Sequence, residues 1–180
     1  ENFGMKIQKE LVIMDPGQSF KLFKPSLRHS FYWHYHPEFE INFILNGKGV
    51  KRVVGDNIEE IDDVELVLVG PNLYHGWEQN KCKSKEMHEI TIQFHNDLFH
   101  EFLLSRRIMT PIKEMFNRSV HGILFSKQVA EMLAPRLIKI SKLDGMDYFL
   151  EIISILYDLA NSRNQRLLST FTVENDTFEE

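Results

Sequence analysis

The segment His34-Tyr35-His36-Pro37-Glu38-Phe39-Glu40 concentrates side chains that can do chemistry. In an extended strand, residues two apart point to the same side. His34, His36, Glu38, Glu40 and Asn42 therefore share one face. Trp33, Tyr35, Phe39, Ile41, Phe43 and Leu45 share the other. A neutral imidazole offers a lone pair and a donor, and a carboxylate offers charge and two acceptor oxygens. Such a row suits a divalent metal or a polyhydroxylated small molecule. His75 follows the turn Gly70-Pro71-Asn72 and brings a fourth group from a later strand, with Trp77 two residues on as a pocket wall. The competing reading of these residues is a solvated strand face or a hydrogen-bonded structural cluster. His88 shares parity with Ile90 and Ile92 and reads as a core histidine, and Tyr74 reads as core. His29, His95, His100 and His121 stand alone and read as surface or cap residues.

The elements that must position these groups change character near residue 95. Before it, short segments alternate with turn residues: Phe20 to Phe23, Glu38 to Leu45, Gly49 to Val54, Glu65 to Val69 and Met87 to Phe94. Asn46-Gly47-Lys48-Gly49 and Gly55-Asp56-Asn57 supply the tight turns. Many short strands at close spacing predict a barrel or sandwich. After residue 95 the pattern is helical. Asn96 or Asp97 caps a first helix carrying Leu98, Phe99, Phe102 and Leu103. Thr110-Pro111 opens a second with Ile112, Met115 and Phe116, broken at His121-Gly122. Ser126 caps a third, in which Pro135 should introduce a kink. A last helix from Met146 to Ala160 has an apolar face too wide for one neighbour, so it is expected to be buried on two sides. From Ser162 onward the chain is polar, with acidic residues gathered from Glu174 to Glu180.

The 180 residues are enough for one domain with a substantial core. Fourteen phenylalanines must find burial, which helix-on-sheet interfaces provide. The formal net charge of −5 argues against a free-standing nucleic-acid binder, which usually carries a basic face. One cysteine, Cys82, rules out an intrachain disulfide framework and fits a reducing compartment. No apolar run reaches membrane-spanning length, so the expected setting is cytoplasmic, with no membrane partner. The Lys81-Cys82-Lys83-Ser84-Lys85 run reads as an exposed hairpin tip.

His34, His36, Glu40 and Gly47 form the pattern His-x-His-x3-Glu-x6-Gly, which resembles the first cupin motif at every position. His75 is similar to the histidine of the second motif, although Val64-Glu65 stands where that motif usually opens with Gly-Asp. The wider string resembles the sensing domain of AraC-type bacterial transcription regulators. It comprises Trp33 to Glu40, Val54-Gly55-Asp56, Gly70 to Trp77 and Ile92-Gln93-Phe94, then Arg118-Ser119 and Gly122 to Ser126. By motif order it spans roughly residues 11 to 165.

This resemblance implies a mainly β fold with α: a cupin barrel (double-stranded β-helix, or jelly-roll) over 1–95, followed by a helical dimerisation appendage over 96–165. Residues 166–180 would then be a linker to a DNA-binding part that this chain lacks. It implies no enzyme. A small-molecule effector, a sugar being one class, would be held by His34, His36, Glu40, His75 and Trp77. A homodimer would form through Tyr148, Ile152, Ile153, Leu156 and Leu159, and DNA would be reached only through the missing C-terminal domain. No cofactor is implied, although His34, His36, Glu40 and His75 also make a candidate divalent-metal set. The alternative from the same motif is a metal-dependent cupin enzyme, a dioxygenase or isomerase.

Overall fold

The computed structural model describes residues 7–15, 18–23 and 33–172. Two sheets and a helical layer account for them. The first sheet contains β1 (Ile7–Lys9), β3 (Trp33–Tyr35), β5 (Lys51–Val54), β6 (Asn57–Glu60) and β8 (His75–Glu78), in the order β1-β3-β8-β5-β6. The second contains β2 (Lys21–Phe23), β4 (Phe39–Leu45), β7 (Val64–Val69), β9 (His88–Phe94), β10 (Ile123–Leu124) and β11 (Arg166–Leu167), in the order β11-β10-β7-β4-β9-β2. Four helices follow β9: α1 (Glu101–Leu104), α2 (Thr110–Arg118), α3 (Lys127–Lys139) and α4 (Gly145–Asn161).

The hydrogen bonding joins the described strands into two sheets, not one closed barrel. The chain passes between them at Pro37-Glu38, a bend that separates β3 from β4. Proline cannot donate to a ladder, so the strand read as running on through this segment is interrupted there. β4 then lies in the middle of its sheet, paired antiparallel with β7 and β9 over its whole length. Both faces of β4 are buried, which explains its nearly continuous run of buried residues.

On the outer face, Ile41, Phe43, Leu66, Leu68, Ile90, Ile92 and Phe94 form one core with the helices. α2 gives it Ile112, Met115 and Phe116, α3 gives Leu133 and Leu137, and α4 gives Ile152, Ile155, Leu156 and Leu159. The phenylalanines collect here: Phe39 stacks on Phe116 at 4.5 Å and on Phe94 at 5.3 Å. Between the sheets, Ile44, Val67 and Val69 of the second meet Val50, Val54 and Trp77 of the first. The remaining inward positions are polar, and they make the site.

Several expectations are corrected. The β part is not confined to 1–95, because β10 and β11 complete the second sheet from within the helical half. Residues 166–172 are not all free linker: β11 pairs with β10, and Leu168 and Ser169 are buried. The acidic residues from Glu174 onward lie outside the described residues. The helix expected after Asn96 is split into a 3-10 turn, Asn96–Leu98, and the short α1, whose start His100 caps by accepting from the Phe102 amide. Thr110 stands inside α2 and does not cap it. Ser126 caps α3 by accepting from the Val129 amide, as expected, and α3 runs on past Pro135. His88 is exposed. It shares the outer parity of Ile90 and Ile92 but stands at the first residue of β9.

Candidate functional site

Sheet register builds the inner face of the second sheet as a grid. Val69, Glu40 and Gln93 form one rung, Val67, Asn42 and Thr91 the next, and Glu65, Ile44 and Glu89 the third. The facing sheet sets His34 opposite His75 and Arg52 opposite Trp77. Alternation along the strands sends these side chains inward while the apolar set of β4, β7 and β9 faces the helices. Sequence reading placed His34 and Glu40 on one strand. They stand on strands of different sheets, yet the bend brings them together.

His34, His36, Glu40 and His75 converge so that one ligand atom from each lies within 4.8 Å of the others. His36, Glu40 and His75 are buried, and His34 is half-buried. The His34 and His75 rings meet edge-on at 4.3 Å, and His36 meets His75 at 4.9 Å. His36 Nε2 donates to Glu40 Oε2 at 3.1 Å, and its Nδ1 reaches the Glu38 carbonyl at 3.2 Å. Both nitrogens face oxygen acceptors, which favours the charged ring, while the Gln93 amide nitrogen stands 3.3 Å from Nε2. Burial opposes its charging, but the bond to Glu40 and the charges of Glu40, Glu10 and Glu38 together raise its pKa above the usual histidine value. Glu40 responds in the opposite direction. Burial alone would raise it, yet the His75 charge and the His36 bond hold it well below the usual carboxylate range. His75 Nδ1 lies 2.7 Å from the Leu73 carbonyl. An Nδ1–H donated there leaves Nε2 turned toward the cluster, 3.5 Å from Glu40 Oε2, the orientation a bound metal or ligand requires.

Gln93 was missed by sequence reading and is central. Its amide donates to Glu40 at 2.9 Å and to Glu10 at 3.1 Å, tying β9, β4 and the segment after β1 together. The available signal was the polar parity Glu89, Thr91 and Gln93 between Ile90, Ile92 and Phe94. Glu89 and Glu65 were also missed. Asn42 donates to Glu89 Oε1 at 2.8 Å, while Glu89 Oε2 is buried without a hydrogen-bond partner. Burial, which outweighs the Asn42 bond, raises the Glu89 carboxyl to about 7. Glu65 accepts from Trp77 Nε1 at 3.1 Å and from Arg52 Nη1. Burial raises its pKa despite both partners. Arg52 is 1% exposed, and its Nη2 also bonds Asn57 at 2.8 Å and Glu59 at 2.5 Å. Its Nε has no partner.

Ile152, Leu156 and Leu159, expected at a dimer interface, are buried in the chain's own core, and Tyr148 and Ile153 pack partly against it. The apolar face of α4 packs on α2, and Tyr148 and Phe149 meet Phe20. The apolar side chains that α4 leaves outside are Met146, Leu150 and Tyr157.

Fold and site together define a two-sheet β domain with a helical layer and a buried histidine–carboxylate cluster between the sheets. No protein-family model matches the chain, and no curated protein matches it. Three solved structures of ToxT from Vibrio cholerae resemble it distantly. One, bound to (E)-4-(8-methylnaphthalen-1-yl)but-3-enoic acid, has 15% identity and a TM-score of 0.40, covering 77% of this chain and 54% of that one. A second, bound to an unsaturated fatty acid, has 13% identity and a TM-score of 0.41, covering 79% and 54%. The third has 13% identity and a TM-score of 0.40, covering 89% and 61%. This chain thus spans between half and two thirds of the length of those it matches. Among the described residues, no helix is long and apolar enough to cross a membrane.

Proposed function

We propose that this chain is the effector-sensing domain of an AraC-type transcription regulator, with a jelly-roll (cupin) arrangement of its two sheets. It takes a neutral, hydroxyl-rich small molecule between the sheets and does no catalysis. The observation that carries the reading is a set of buried polar atoms with nothing to bond. Arg52 Nε, Glu89 Oε2 and His75 Nε2 are all buried without hydrogen-bond partners. A buried polar atom left unpaired costs about 1–3 kcal/mol, so each of these inward-facing atoms calls for a partner that the surrounding side chains do not supply. A hydroxyl group both donates and accepts, and so serves an arginine nitrogen and a carboxylate oxygen alike. A carboxylate ligand suits Arg52 less well, because its guanidinium is already bonded to Glu65, Glu59 and Asn57.

His34, His36, Glu40 and His75 are assigned the ligand contacts at one end, with Trp77 as a wall. A second copy pairs through the helical layer, using Tyr148 and Ile153 at the edge of the buried face and Met146, Leu150 and Tyr157 outside it. DNA contact falls to another part of the regulator, in keeping with the acidic charge here. A thermal-shift panel of sugars, polyols and fatty acids tests the ligand assignment, because a binder of the folded state raises the melting temperature. A hydroxyl-rich compound should stabilise the protein, and Glu40→Gln should abolish the effect. A panel in which only fatty acids stabilise, or in which Glu40→Gln changes nothing, contradicts the assignment.

The convergence of four ligand atoms within 4.8 Å also supports a second reading, a divalent-metal site. Three imidazoles and one carboxylate fit zinc, iron or nickel. When bound, such an ion supplies Lewis acidity, and the residues here would orient it through the Leu73 bond to His75. Calorimetric titration with zinc after chelator treatment separates the readings. Stoichiometric binding lost in His75→Gln favours the metal, and absence of binding favours the organic ligand.

A further inference from the structure

The segment Arg166–Thr170 crosses the rim of the two sheets as a strap. β11 pairs with β10, the Leu168 amide donates to the Gly122 carbonyl at 3.0 Å, and the Ser169 amide donates to the His121 carbonyl at 2.7 Å. The Thr170 amide donates to Asp56 at 2.8 Å. The strap lies tight against the turns below it. A Cβ added at Gly55 would meet Ser169 Oγ at 2.3 Å and Ser169 Cβ at 2.6 Å.

Two physical routes run from this strap into the interior. The first is polar. Trp77 bonds Glu65, Glu65 bonds Arg52, Arg52 bonds Glu59, and Glu59 is held on both oxygens by Arg166 at 2.9 and 2.5 Å. Every link after the first joins a guanidinium to a carboxylate, the stronger class of hydrogen bond. The Arg166 bond comes first among the causes that lower Glu59 to about 2, with Arg52 contributing as well. The second route is apolar: Leu168 is buried in the same cluster as Trp77, Val54 and Leu73.

We infer that the Arg166–Thr170 strap reports the state of the interior: a ligand that takes Glu65 away from Trp77 or Arg52 loosens the strap, and release of the strap in turn frees Trp77. This regulation rests on the reading of the interior as an effector site, but the coupling itself needs no ligand to be measured. One guanidinium holds Glu65 through Nη1 and Glu59 through Nη2, so a displacement of Glu65 is felt at the carboxylate that Arg166 also grips. Coupling between sites is reciprocal, so the strap must affect the interior as much as the interior affects the strap.

Amide hydrogen exchange of the full chain at Leu168, Ser169 and Thr170 tests this, comparing Glu65→Gln with Ile92→Val. Ile92 is equally buried but belongs to the helix-side core, apart from both routes. Glu65→Gln should speed exchange at the three strap amides about tenfold, within the usual range for coupled sites. Ile92→Val should leave them at the wild-type rate. Equal rates in wild type and Glu65→Gln, or equal acceleration in both variants, overturn the inference. Arg166→Ala, a change at an exposed position, supplies the reciprocal reading and does not depend on a buried variant folding. In a Trp33→Phe background it should shift the Trp77 emission and its indole N–H resonance, and unchanged signals overturn the inference. Loss of stabilisation by small molecules in Glu40→Gln is a separate readout, so failure of the effector reading and failure of the coupling are distinguishable.

Discussion

Single residues in the interior carry opposed pH dependences. Glu89 titrates near 4.5 unfolded and about 7 folded. Between those values the folded state holds a proton that the unfolded state has released, so its contribution falls as pH rises. The loss should reach about 3 kcal/mol by pH 7.5, from the size of the shift. Denaturant titrations of Glu89→Gln should therefore show the variant gaining on the wild type from pH 4.5 to 7; parallel curves would contradict the burial of that carboxyl. His36 has a raised pKa. Its imidazolium–Glu40 pairing is fully present below pH 6.5 and is lost as pH rises through the folded value. His36→Gln should cost about 1–3 kcal/mol at pH 6, as for a charged hydrogen bond, and less at pH 9. A deficit that grows with pH would mean the ring is neutral in the fold.

Among the elements, α4 separates buried from exposed apolar residues most sharply. Leu156 is fully buried and Leu150 is 57% exposed. Leu156→Ala should cost about 2–5 kcal/mol by chemical denaturation, as large-to-small core changes do. Leu150→Ala should stay within about 0.5 kcal/mol in the monomer, since surface changes usually do. Equal costs would contradict the orientation of the helix. The elements also show what was legible beforehand. The strands at Phe39–Leu45, Val64–Val69 and His88–Phe94 and the helix Gly145–Asn161 follow from periodicity and turn residues, to within a residue or two. The histidine–carboxylate convergence was legible from residue types together with the motif resemblance that added His75, and the four groups do converge. The transfer between sheets at Pro37 was not, because parity is counted along one strand and a bend resets it. Glu65, Glu89 and Gln93 were passed over because both faces of a central strand are buried here. A polar parity that normally signals solvent instead faces the opposite sheet. The strap was read as linker because its pairing with β10 depends on tertiary register, which composition does not encode.

At the scale of the whole molecule, a helical layer covers one face of a six-stranded sheet, and its other face meets the second sheet across an apolar cluster and a set of buried polar groups. Copies pairing through α4 would bury Met146, Leu150 and Tyr157. Light scattering of Leu150→Glu/Tyr157→Glu should then give a monomer mass where the wild type gives a dimer, and a dimer unaffected by both charges would rule out that face. The central claim is that a small molecule lodges between the two sheets against Glu40 and its histidines. A crystal structure determined with the strongest stabiliser from the thermal-shift panel tests it most directly. Ligand density within hydrogen-bond reach of Glu40, His36 and His75 is the predicted result. Density confined to the outer surface, with the inter-sheet side chains as they stand here, would contradict the claim.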